Sequence, residues 1–224
     1  MLTRDFASLS VRLQPSVPGC PRQTITQYVR DAAIRTCERT LAWRYQQPTF
    51  NLTPGTYVYN YSKPADTQVH ALLGAMLNDD PLDVLTLDQA LALYPAWADK
   101  YTTSGDIAEF GSQPRSITQI SPHQFTVLPL PDAERTYTMR MFYALKPTRD
   151  AGGMDEVMFD ELEDVITHGA LQHLLVLPKA HWSDRELAAY HSKQYIFHLS
   201  ERRARANLGN ARGVMHVQMQ PFGA

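Results

Sequence analysis

Cysteine is almost missing from this chain: Cys20 and Cys37 are the only two in 224 residues. Two thiols make neither a disulfide framework nor a CxxC site, so both are read as reduced, with Cys37 at a helix core position. Long apolar runs are missing too, and none approaches the roughly 20 residues that a membrane-spanning helix needs. Met1 to Asp5 carry a charge pair and no apolar stretch, so no signal peptide is expected there, and folding in a cytoplasm is the expectation. Neither sign of charge dominates, with 21 basic and 23 acidic residues and a formal charge of −2. That balance argues against a whole-chain nucleic-acid binder and leaves only local patches for contact with a polyanion. GxSxG, P-loop, GxGxxG and HExxH motifs are all missing, which removes the signatures of a nucleophile elbow, a nucleotide site and a zinc hydrolase. The expectation is a non-enzymatic protein with no catalytic residue, no metal and no cofactor.

What remains is ordinary globular composition, 44% hydrophobic and 20% charged, in a length that buries a real core. Pro15, Pro18 and Pro21 block a long helix in the first 22 residues. From about Gln23 to Arg44, Ile25, Tyr28, Val29, Ala32, Ala33, Cys37, Leu41 and Arg44 recur at spacings of three and four, which predicts an amphipathic helix stopped by Pro48.

The middle of the chain changes chemistry. Thr56 to Tyr61 is β-branched and aromatic and follows a Thr53-Pro54-Gly55 turn. Val69 to Leu77 suits strand or helix, Asn78 to Pro81 a turn, and Leu82 to Leu85 the returning strand. A short helix is expected from Leu87 to Tyr94. Gln124 to Leu128 and Thr136 to Ala144 read as further strands, the latter with Tyr137, Met139, Met141 and Tyr143 on one face. Together they predict a small antiparallel sheet.

The last third is helical again. An acidic segment after Gly152-Gly153 opens a helix to about Leu177, its acids favoured near the positive end of the helix dipole. Trp182-Ser183-Asp184 caps a second helix to about Leu208, with Leu187, Tyr190, His191, Gln194, Phe197 and His198 spaced for one face. Val214 to Ala224 has no helical period and reads as a tail.

Few side chains suggest a site. His191 and His198, seven apart, share a helix face, whereas His168 and His173 do not; satisfied helix histidines are the plainer reading. Asp79-Asp80 sits beside Pro81 and reads as turn chemistry. Arg202, Arg203, Arg205 and Arg212 form a basic cluster around more than one helix face, either a solvated surface or a contact to an acidic partner. The acid-rich start of the preceding helix offers such a surface on a neighbouring copy. Alternation sets Tyr57, Tyr59 and Tyr61 together as an exposed patch that a monomer rarely keeps.

Val17-Pro18-Gly19-Cys20-Pro21, then Val29 to Arg44 (VRDAAIRTCERTLAWR), resembles the opening of the small neck proteins of tailed bacteriophages, the head-to-tail adaptor or connector proteins, including the tail-tubular type. Ile166 to Leu171, Leu174-Leu175, Pro178 and Trp182-Ser183-Asp184 continue the resemblance. It implies a structural virion protein at the head-to-tail junction, joining the portal to the tail around a channel for DNA. It implies a ring, commonly of twelve copies, assembled in the host cytoplasm. The implied partners are the protein itself, the phage portal protein, the next tail or nozzle protein and, transiently, genomic DNA, with no membrane. The implied fold is α+β, a helical bundle from the N- and C-terminal segments (1–48 and 148–213) with an inserted antiparallel β-rich domain (49–147) and an extended C-terminal tail (214–224). Carried over, Val214, Met215, His216, Val217, Gln218, Met219, Gln220, Pro221 and Phe222 dock on the portal, and their alternation suits strand addition to a partner sheet edge. Arg202, Arg203, Arg205 and Arg212 contact a neighbouring subunit or acidic partner. A competing expectation from another class is a metal-dependent hydrolytic enzyme using His191 and His198.

Overall fold

The computed structural model describes residues 2–95 and 112–208. Asp5 caps a short first helix, α1 (Phe6–Leu13), by accepting from the Ala7 N–H at 2.8 Å. The chain then passes the proline-rich stretch into α2 (Arg22–Thr40), whose buried Ile25, Val29, Ala32, Ala33 and Cys37 are the apolar stripe expected from sequence. The helix stops earlier than Pro48. Leu41 takes the left-handed conformation (φ 52°) and its N–H returns to the Cys37 carbonyl, so the chain leaves the helix at a C-cap.

Strand β2 (Arg44–Asn51) follows at once, then β3 (Tyr59–Asn60), β4 (Thr67–Leu77) and β5 (Asp80–Leu85). The β4–β5 hairpin turns on Asn78 and Asp79, both at positive φ (49° and 71°), the geometry that two-residue hairpins favour. The Asn78 side chain accepts from the Thr138 N–H at 2.8 Å, and Arg140 holds Asp79 at 3.3 Å. Asp79-Asp80 is thus turn chemistry, as expected. A capping box between Thr86 and Gln89 starts α3 (Leu87–Leu93). Strands β6 (Ser116–Ser121), β7 (Gln124–Leu128) and β8 (Thr138–Pro147) complete a seven-stranded sheet in the order β2-β8-β4-β5-β6-β7-β3. Its pairs are antiparallel except β5–β6, which is parallel, so the sheet is mixed and not the antiparallel one expected.

The sheet curls. Phe50 on β2 and Tyr59 on β3 lie on opposite edge strands, yet their ring centroids are 6.4 Å apart. Register shifts in β2 (between Gln47 and Phe50) and in β4 (between Val69 and Ala71, and between Leu72 and Gly74) supply the bends. Pro48 falls inside the first of these irregularities, on an edge strand where a missing N–H is tolerated. Inside the curl Tyr61 meets Phe125 at 5.0 Å and Tyr143 at 5.1 Å, and Tyr59 stacks on Phe125 at 5.5 Å. The exposed tyrosine patch expected from alternation is therefore corrected: Tyr59 and Tyr61 are buried, because the curl folds their face inward.

A short strand β9 (Gly153–Asp155) pairs antiparallel with β1 (Thr3–Asp5), and two long helices end the described chain: α4 (Glu156–Leu174) and α5 (Arg185–Leu208). Helix α2 packs on α1, α4 and α5 and also on β8. Lys146 of β8 bonds Glu38 of α2 at 2.7 Å. One continuous core runs from Phe6 and Val29 through Met141 and Tyr143 to Phe159, Leu171 and Ala188. This overturns the expected helical bundle carrying an inserted β-rich domain. Helices and sheet form one α+β body, joined through α2, because β8 buries Met139, Met141, Tyr143 and Leu145 in the core and also packs against that helix. The expected extended C-terminal tail lies outside the described residues. Among those described, no helix is long and apolar enough to cross a membrane.

Candidate assembly surface on the last two helices

Helices α4 and α5 make a hairpin whose ends are set by short-range chemistry. Asp155 caps α4 by accepting from the Met158 N–H at 3.2 Å. Asp184 caps α5 by accepting from the Glu186 and Leu187 N–H groups, both at 3.0 Å. Its own N–H and the Ser183 hydroxyl both return to the Leu175 carbonyl, fixing the angle between the helices. Gly169 lets them close. A Cβ there would stand 2.9 Å from the Tyr195 ring and 3.2 Å from the Ala32 Cβ.

The six residues expected on one face of α5 span about 120° of the helix circumference. Helix α4 covers only one flank of that arc, so the structure splits the set. His191 is buried beside Ala188 and Tyr195, and His198 is half-buried. Leu187, Tyr190 and Phe197 point outward, Tyr190 52% and Phe197 65% exposed, and Leu208 continues their line at 59%. Gln194, Glu201 and Ala204 fill the intervening places at alternating steps of three and four, the spacing of a coiled-coil seam. Helix α5 therefore carries two seams. One is satisfied by α4 and α2, and the other faces solvent.

The basic cluster divides in the same way. Arg202 and Arg205 line a shallow groove of about 340 Å³ with Arg44, Glu161, Val157 and Met158, while Arg203 is exposed and does not line it. Sequence spacing gives no signal for Arg44, which arrives from the start of β2. Arg212 lies outside the described residues, as do all the portal-docking candidates, Val214 to Phe222. The acidic face of α4 is partly committed within the chain. Arg4 pairs with Asp160 and stands 3.6 Å from Glu163, and Arg12 pairs with Glu163. Glu156, Glu161 and Asp164 remain exposed.

Three histidines meet between the two helices. His168 Nδ1 of α4 lies 2.8 Å from His191 Nδ1 of α5, and the His168 ring stacks on His198 with centroids 5.5 Å apart. The close nitrogens form a hydrogen bond only when at least one of the two rings is neutral. Burial holds both His168 and His191 below their ordinary value. The neighbouring His191 and His198 lower His168 further, against an opposing pull from Asp164. No set of three or more His, Cys, Asp or Glu among the described residues is arranged to hold a metal ion. Chemically the trio is a polar patch in a helix interface, one that favours neutral imidazole at His168 and His191. Cys37 is inert in the same sense, since burial pushes its thiol up to about 12.

No protein-family model matches the chain, and no curated protein matches it.

Proposed function

We propose that this chain is a structural virion subunit of tailed bacteriophages, assembling with copies of itself into a ring at the head-to-tail junction. One observation carries the self-assembly: the outward seam of α5, where Leu187, Tyr190, Phe197 and Leu208 stand exposed along one line. A soluble chain rarely keeps large apolar groups aligned in this way unless another surface covers them. The occupant best suited is a second copy of this chain. Both signs of charge stand exposed on or beside the seam, Glu186, Lys193, Glu201 and Arg205 among them, and suit the opposite charges of a neighbouring copy. The resemblance of the opening and of the α4–α5 region to head-to-tail adaptors supplies the setting. The portal, the next tail protein and DNA passing through the ring are the implied partners, with twelve copies as the implied number and no catalytic step.

A metal-dependent hydrolytic reading through His191 and His198 draws on one observation, the meeting of these residues with His168. The Nδ1 atoms of His168 and His191 face each other as a hydrogen-bonded pair, so they satisfy one another and do not converge on an empty point. Assembly is the better-supported reading.

Portal-containing heads test the setting. Removing residues 214–224 is expected to leave a folded protein that no longer attaches to such heads. Attachment equal to that of the intact chain would contradict portal docking by this segment.

A further inference from the structure

A second groove lies away from the α5 seam, between α1, α2 and the turn after β8. It encloses about 600 Å³, and Arg22, Gln23, Gln27, Arg30, Asp31 and Arg149 are among the side chains that line it. Three guanidiniums against one carboxylate leave this surface formally two charges positive, in a chain whose net charge is −2. Among the described residues none of the three arginines takes part in an ion pair. Arg30 is held across the groove by a bond from its Nη1 to the Arg149 carbonyl at 2.8 Å, and its buried Nε–H has no acceptor. A buried donor left without a partner costs free energy that a bound acceptor recovers.

Spacing narrows the chemistry. Arg22 and Arg30 are eight residues apart on α2, about 12 Å along the axis. Gln23 and Gln27 present two amides on the same side, one turn apart. The hydroxyls of Ser10 and Thr26 donate to the Ala7 and Arg22 carbonyls, so the donors left for a ligand are the guanidiniums and amides. Pro21 offers no side-chain cap to the first turn of α2, which leaves its N–H groups and the positive end of its dipole beside Arg22. A single small anion cannot span this row, whereas a chain of phosphates can; a phosphodiester strand repeats its charge about every 3.4 Å.

We infer that the groove between α1 and α2 binds a run of linked phosphates through Arg22, Arg30 and Arg149. The run belongs either to a nucleic-acid backbone or to a free polyphosphate. Arginine suits this ligand because its planar fork meets phosphate oxygens two at a time. The inference does not depend on ring assembly, since none of these residues lies on α5.

Fluorescence anisotropy with a labelled 20-nucleotide duplex, and calorimetry with tripolyphosphate, test it on the full chain. Binding is expected for at least one probe, weakening as salt rises. Arg22→Ala with Arg149→Ala, both at exposed positions, is expected to weaken binding by at least about tenfold, whereas Arg135→Ala, exposed between β7 and β8, leaves it unchanged. Arg30→Gln, with its melting temperature checked, should weaken binding without touching the other two arginines. Binding of the duplex alone identifies nucleic acid as the source, and binding of tripolyphosphate alone identifies a free polyphosphate. The inference is overturned if neither probe binds, if the double variant binds as the parent does, or if hexaglutamate binds as tightly as tripolyphosphate.

Discussion

The curled sheet and helix α5 spend the same residue types in opposite ways. In the sheet, Tyr59, Tyr61, Phe125 and Tyr143 turn into one another and leave almost no ring exposed. On α5, Tyr190 and Phe197 turn to solvent while the opposite flank of the helix packs on α4. A sheet that curls closes its own aromatic face, because its two edges are brought together. A helix has no such device. Each apolar seam needs a partner, and among the described residues only one of the two seams of α5 has one. The sheet closes within a single chain, and on the proposed reading the helical hairpin is completed by another copy.

The contrast can be broken first at its most buried point. Phe125 is fully buried and meets three other rings, so Phe125→Ala is expected to cost about 4 kcal/mol. Denaturant unfolding measures the loss, and a cost below about 1 kcal/mol would show that the curl is not the sealed region described. A smaller effect is expected at the helix interface. Gly169→Ala sets a methyl against the Tyr195 ring and is expected to destabilise by about 2 kcal/mol, read by the same experiment. Smaller again is the pH response of the histidine trio. His168 and His191 have folded values below 6.5, so the unfolded chain takes up protons first. Their contribution is intact above about pH 6.5 and falls as the pH drops through and below that value. The melting temperature should therefore decline on acidification, and His191→Gln should flatten the decline between pH 6.5 and 5. An unchanged slope in the variant would assign the response to other groups, with His198, Asp164 and Glu201 the nearest.

Much of the local structure was legible in the sequence. The stripe of α2 could be read because Ile25, Val29, Ala32, Ala33 and Cys37 keep helical spacing and are all buried. The β4–β5 turn could be read from Asn78 and Asp79, and the cap of α5 from Asp184, since each acts within a few residues of itself. The curl was not legible. It depends on register shifts in β2 and β4 and on the meeting of two edge strands, which are relations between distant segments. Alternation alone placed Tyr59 and Tyr61 correctly on one face but could not say that the face turns inward. The separation of bundle and inserted domain failed for the same reason, because only the packing of α2 on β8 shows that one core serves both. On α5, spacing identified the arc that holds the apolar residues, yet which flank of it would be buried depended on where α4 lies. The arginines of the α1–α2 groove come from segments more than 100 residues apart, so no local pattern joins Arg149 to Arg22 and Arg30.

The central claim is that the second seam of α5 is an interface between copies. Sedimentation velocity on the intact chain, beside a Tyr190→Ser, Phe197→Ser double variant, tests it most directly. Both side chains are more than half exposed, so the variant's folding stability is expected to stay within about 0.5 kcal/mol of the parent. A large, discrete oligomer is expected for the intact chain and a folded monomer for the variant. An intact chain that sediments as a monomer at tens of micromolar, or a variant that assembles as well as the parent, would contradict it.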